Sequence, residues 1–445
     1  MESELKRIGW LLASLLLLGA RAPAQRLATL TVALPRATAG LAVPLSINLD
    51  ALTLLPDSAL QLVEVYGAAR TVVPSQMAHA GQRVLHWLAA PSAGPTTRTY
   101  ELRRVPAPSP TPPPAVQVLD EAGGLVVQAG RHRLLRYNYR TVYPPAGVDS
   151  AFRRSGFIHP LWSPHGQELT RIQAPDHYHH YGLWNPWTHV LFEGDTVDFW
   201  NLGDHKGTVR FANVLATTSG PVFGEYSVLQ NHVAFPKGRP EKTALREVQA
   251  VRVYQPAGPD AYLADLSIQL NCATASPVTL LAYRYGGLGW RATAQWTKDN
   301  SEVLTSAGKT RREADGTTAR WCLVQGQLGP SDYGGVVLLS APTNYNYPEP
   351  LRIWPEDQNG RGDMFASFSP TKTKAWPLVP GQTYDLHYRL LVFNGHCTKT
   401  QAESAWQYFA HPPRVVVGQP APRQPPARRA TAAIPPKRPT PSKLN

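Results

Sequence analysis

Three cysteines in 445 residues are too few for a disulfide-dense scaffold or a four-cysteine zinc ribbon. Cys272, Cys322 and Cys397 sit in apolar, strand-like surroundings, where an oxidising compartment would let two of them pair. Helical periodicity is equally scarce. Only Lys399–Ala410 (KTQAESAWQYFA) spaces its apolar residues as a helix does. After residue 20 no apolar run reaches the roughly 20 residues that cross a bilayer, so the mature chain is expected to have no transmembrane segment. No serine-centred nucleophile elbow is present. The glycine-rich run Tyr283–Arg291 lacks the Lys-Ser/Thr ending and following helix of a phosphate loop.

Proline and positive charge are plentiful, and both are unevenly spread. The chain has 43 prolines and a net charge of +13. From His411 to Asn445 there are ten prolines, seven Lys/Arg and no acidic residue, a composition that cannot bury enough apolar surface to offset its ordering entropy. Residues 411–445 are therefore read as an unstructured basic tail, suited to touching an anionic envelope surface. Seven of the thirteen charges lie there and one in the leader, leaving +5 for residues 26–410. That mild excess gives no support for nucleic-acid binding.

Residues 1–24 read as a signal peptide. Lys6 and Arg7 precede the apolar run Ile8–Ala20, and Ala22-Pro23-Ala24 fits a cleavage site. The expected location is periplasmic or extracellular. A second break lies at Pro106–Pro114, where six of nine residues are proline, a semi-rigid spacer. The resulting divisions are 25–105, a linker over 106–115, and 116–410.

Both divisions alternate apolar and polar residues with period two. Leu27–Leu34, Val43–Leu49 and Leu60–Tyr66 mark the first as a small β-sandwich. Val248–Tyr254, Leu266–Leu270 and Tyr384–Phe393 mark the second as a large antiparallel two-sheet sandwich. The fold class is all-β.

Six of the 14 histidines fall between Gly156 and Leu202. Extended backbone over Asp176–Tyr181 places His177 and His179 on one face and His180 on the other. Imidazoles so presented are candidates for acid/base chemistry, and His177 and His179 for holding a divalent metal. Trp162, Trp184, Trp187 and Trp200 would wall a pocket suited to a sugar. Arg284 and Arg291 would grip its hydroxyls or a carboxylate. Asp176 or Glu247 would orient an imidazole or act as a second base. Arg361-Gly362-Asp363 matches a cell-adhesion tripeptide, read as a chance match.

The runs Gly156-Phe-Ile-His-Pro-Leu161, Asp176-His-Tyr-His-His180 with Gly182, and Val197-Asp-Phe-Trp200 resemble the DUF6807 family, also labelled PmoA-like methane oxygenase. Tyr285-Gly-Gly287, Pro342-x-Asn344 and Tyr388-Arg-Leu390 extend the resemblance. It implies a supersandwich similar to the galactose-mutarotase type, a setting in carbohydrate use, and ligand-binding roles for His159 and Asn344. Tyr178, Tyr181 and Ala341 depart from the family pattern, where Pro, Arg and His are expected. A membrane oxygenase subunit needs transmembrane helices, so the label does not supply the chemistry.

Together these features point to an exported protein with a carbohydrate ligand, acting on a glycoside or sugar derivative. The competing readings are a non-catalytic glycan-binding protein and the metal-dependent oxidoreductase that the family label implies.

Overall fold

A computed structural model describes residues 25–418 apart from 39, 80 and 107–112. The leader 1–24, most of the proline spacer and residues 419–445 lie outside the described residues. Among those described, no helix is long and apolar enough to cross a membrane.

The period-two runs form antiparallel strands throughout. The N-terminal module packs a five-stranded sheet against a three-stranded one. In strand Gln25–Leu34 the inward residues Leu30, Val32 and Leu34 are buried while their neighbours face outward. They meet Leu45, Leu85, Trp87 and Leu102 in the core of this small sandwich.

The large module is built from two eight-stranded sheets. The first runs, in spatial order, Leu351–Ile353, Phe365–Phe368, Gly289–Arg291, Leu183–Trp184, Phe157–Leu161, His132–Asn138, Gly124–Ala129 and Val116–Glu121. The second has its longest strands in Gly207–Thr218, Phe223–Ala234, Lys242–Tyr254, Ala261–Cys272 and Tyr384–Asn394. Leu125, Tyr137, Ile158 and Trp290 from the first sheet join Tyr226, Val251, Ile268 and Leu390 from the second in one continuous core.

Helix Lys399–Ala410 opens on a capping box between Thr398 and Gln401. It buries Ala402, Ala405 and Trp406 against Trp321, Leu323 and Val337 of the second sheet. Tyr408, on the same helix, reaches the core of the small module.

Two expectations need correction. Residues 411–418 do not belong to an unstructured tail: Val415–Gly418 adds to the edge of the small sheet, pairing with Thr29–Val32. Three consecutive valines with free backbone groups complete an open sheet edge, which the proline-rich composition of the whole segment conceals. No disulfide forms either, for Cys272, Cys322 and Cys397 are all free. They stand on separate elements, and burial pushes the thiols of Cys322 and Cys397 up to about 12, which makes both inert.

Candidate functional site

At one end of the first large sheet, a two-stranded ribbon of Ile172–Ala174 and His177–Tyr181 carries the histidines. Its pairing is irregular. Ile172 faces Tyr181 and Ala174 faces His177, so Tyr178, His179 and His180 together oppose the single residue Gln173, whose φ is +46°. This bulge breaks the strict alternation of side chains. His180, expected on the far face, instead joins His177 and His179. Ring centroids are 4.7 Å apart for 177–180, 4.8 Å for 179–180 and 5.3 Å for 177–179. One nitrogen from each ring lies within 4.8 Å of the others. Gly182 closes the ribbon at φ +62°, where any Cβ would strike the Ile158 carbonyl oxygen at 2.3 Å.

Below the cluster is a dry aromatic floor. The His180 ring lies 5.2 Å from Trp184, 5.4 Å from Trp354 and 5.2 Å from Phe365. Trp184, Trp187 and Trp200 are all buried: Trp184 and Trp200 support His180 from beneath, Trp187 packs on Trp376 in the main core, and none walls an open pocket. Trp162 is half-buried on another strand end. The aromatic residues that do reach solvent beside the cluster are Phe152 and Tyr178, with His179 stacked 6.5 Å from Phe152.

Beside the cluster is a network of carboxylates. Asp176 Oδ2 accepts a hydrogen bond from His177 Nδ1 at 2.8 Å and another from Asn359 Nδ2 at 2.8 Å. Arg291 Nη2 donates to Asp176 Oδ1 at 3.0 Å and to Asp363 Oδ2 at 3.1 Å. Although burial opposes ionisation, Arg291, His177 and Asn359 together hold the Asp176 carboxyl down at about 2. An ionised Asp176 fixes the proton of His177 on Nδ1 and leaves Nε2 as its basic nitrogen. Desolvation, aided by the neighbouring His177, lowers His179 to about 4, and it drives His180 well below the ordinary imidazole range. Both rings are therefore neutral at pH 7. His180 Nδ1 is buried without a hydrogen-bond partner. Three imidazoles with convergent nitrogens, His179 and His180 held neutral by burial, suit a cation or a proton-bearing substrate.

The other residues singled out from the sequence lie elsewhere or are already engaged. Glu247 is 1% exposed, within the core between the two large sheets. It accepts from His232 Nε2 at 2.8 Å, Asn185 at 3.0 Å and Gln230 at 3.2 Å, so it is not a base of this cluster. Arg291 grips the protein's own Asp176 and Asp363 and is closed to a ligand. Asn344 is buried, donating to Glu349 Oε1 at 2.8 Å and to the His387 carbonyl at 2.9 Å, which leaves it no free donor for a substrate. His159 hydrogen-bonds Thr170 Oγ1 at 2.9 Å through Nδ1, and burial lowers it to about 4. It lines a shallow surface dish with Arg171 and Thr293, outside the three-histidine group. Arg284 is exposed and lies over the rings of Tyr283 and Tyr285. Asp363 and Asn359 were not anticipated as part of the site. Asp363 belongs to the adhesion-like tripeptide, and here its carboxylate pairs with Arg291 and Arg361.

The family model of DUF6807, a family of unknown function, matches residues 124–407. The chain belongs to the DUF6807 family. The matched span contains the whole histidine ribbon and its carboxylate network. In this DUF6807 chain the three positions at which the resemblance leads one to expect Pro, Arg and His fall at different depths. Tyr178 is at the solvent rim, whereas Tyr181 is buried and hydrogen-bonds the Phe152 carbonyl and Gln173. Ala341 lies in the strand-end turn that holds Asn344. No curated protein matches the sequence. Among solved structures, similar ones are an alpha-mannosidase from Enterococcus faecalis V583 (8% identity, TM-score 0.45) and a protein in the glycosyl hydrolase family 38 from Enterococcus faecalis (11% identity, TM-score 0.42). The likeness covers 88% and 89% of this chain but 46% and 48% of those chains, so the chain spans about half their length.

Proposed function

We propose that this DUF6807 protein is an enzyme acting on a glycoside or sugar derivative at the His177–His179–His180 cluster. The observation that carries the reading is the pairing of Asp176 with His177 beside two further neutral imidazoles. Asp176 stays ionised and holds His177 in one tautomer, so Nε2 can take a proton from a hydroxyl or from a carbon next to a carbonyl. Positioned bases of this kind contribute about 10²–10⁴-fold to a rate. His177 retains 28% of its side-chain exposure, which gives substrate access. The half-exposed rings of Phe152 and Tyr178 supply faces on which sugar C–H groups can rest.

Export is part of the same proposal. It is supported by the Lys6–Ala24 pattern of a basic start, an apolar run and a small-residue cleavage site.

The test is to incubate the purified protein with a panel of aryl glycosides, reducing sugars and uronic acids in D₂O and follow them by NMR. Deuterium uptake, a new reducing end or a new double bond would identify the reaction class. We expect at least one panel member to be consumed by the wild type and spared by His177→Ala. Sugar binding that is undiminished in His177→Ala, with no turnover by either protein, would instead establish a glycan-binding protein.

A further inference from the structure

We propose that His177, His179 and His180 together bind one divalent transition-metal ion of the zinc class. This names a cofactor for the cluster on which the functional reading rests, but it is argued from the imidazole geometry alone.

Metal–nitrogen bonds of about 2.0–2.1 Å separate the ligand nitrogens of a tetrahedral ion by roughly 3.4 Å. The three imidazole nitrogens lie within 4.8 Å of one another, a gap that small side-chain rotations close. An all-imidazole donor set suits zinc, copper or nickel, whereas magnesium and calcium prefer oxygen ligands. Among the described residues this is the one place where three such ligand atoms converge.

Three further features belong to a metal centre and have no purpose in a simple aromatic stack. The first is the bulge opposite Gln173, which turns three side chains from five consecutive residues to one side. The second is the Asp176–His177 hydrogen bond, braced by Arg291 and Asn359. A carboxylate on the outer nitrogen of a ligating histidine fixes the ring and raises its basicity. The third is the buried Nδ1 of His180, which has no partner in the protein, in a ring pinned by Trp184, Trp354 and Phe365. A polar atom left so can take a bound group as its partner. Three protein donors leave a coordination position for water or substrate, as in catalytic rather than structural zinc sites. A bound ion would occupy His177 Nε2, so the base would then be the water held at the open position, whose pKa the ion would lower, in place of the imidazole itself.

The experiment strips the full chain with a chelator, then titrates it with Zn²⁺ alone against a chromophoric competitor. We expect one equivalent bound, with affinity at least 100-fold weaker in His179→Ala and His180→Ala. The surface variant His165→Ala, which removes an imidazole held by Asp260 and Asp332, should bind as the wild type does. If the buried His180→Ala does not fold, His177→Ala at the half-exposed position carries the comparison. Wild-type affinity no tighter than that of His177→Ala would overturn the proposal. Zinc bound at one equivalent without turnover of any sugar would uphold this site and refute the enzyme reading. Turnover that survives complete chelation, by a stripped chain that binds no Zn²⁺, would refute the metal site and leave the enzyme reading standing.

Discussion

Two histidine–carboxylate contacts of identical length sit in this protein, His177 with Asp176 and His232 with Glu247, each at 2.8 Å. Glu247 is enclosed between the large sheets and takes hydrogen bonds from an imidazole and two side-chain amides at 3.2 Å or less. Nothing from solvent reaches it, and His232 stands next to Phe199 with no second imidazole in its group. Asp176 stands at the surface, held by a guanidinium, and its histidine adjoins two more imidazoles. The contact itself therefore does not mark a functional site. What marks one is the convergence of unspent nitrogens where a ligand can arrive.

The sharpest way to break this contrast is to delete each carboxylate in turn. Glu247→Ala leaves His232 and two amides unpaired in the core, and urea denaturation should show a loss of about 3–5 kcal/mol. Asp176→Ala should cost about 1–2 kcal/mol, because Arg291 keeps Asp363 as a partner. Equal losses would erase the distinction between core and site. The histidines give the reverse pattern. His177→Ala should lower turnover by about 10²–10⁴-fold while changing stability by less than about 1 kcal/mol, whereas His232→Ala should do its harm in the denaturation curve.

A smaller effect is expected at Arg291. Arg291→Lys replaces a planar fork that spans Asp176 and Asp363 with a point charge, so the orientation of His177 loosens. Zinc affinity should fall about 10–100-fold, the usual range for a group that positions a ligand, with the fold unchanged by circular dichroism.

The mildest expected effect concerns pH. His179 is held at about 4 in the folded protein against an unfolded value near 6.5. Between these limits the unfolded chain binds the extra proton, so stability is lost as pH falls from 6.5 toward 4. Asp176, depressed to about 2, contributes stability that is present above its unfolded value and lost only below about pH 4. His179→Asn should make the upper part of this profile shallower, His86 and His159 (also lowered to about 4) and His180 keeping the rest of it, and leave the lower part intact. A profile identical to the wild type's would show that His179 is not desolvated.

The all-β sandwich architecture was legible because period-two burial is a local property, as Gln25–Leu34 shows. The closing helix was legible because its cap and apolar stripe lie within twelve residues. At the site, the histidine stretch itself could be found from composition, but its geometry could not. Alternation sends His180 to the wrong face, since a bulge depends on the partner strand and on Gln173. Arg291 and Asn344 looked free to grip a ligand because their partners are remote in sequence: Asp363 is 72 residues from Arg291, and the His387 carbonyl is 43 from Asn344. The tryptophans were recognised as neighbours of the histidines, yet only the packed structure distinguishes a floor from a wall.

The central claim is that the three imidazoles converge and are available to one ligand. Histidine-ring NMR on the chelator-stripped full chain tests it most directly. The account predicts that His179 titrates near 4 and His180 well below the ordinary imidazole range, and that one equivalent of Zn²⁺ shifts the resonances of His177, His179 and His180 together while His232 stays put. Ordinary titration of His179 and His180 near pH 6.5, with no concerted response to the ion, would contradict it.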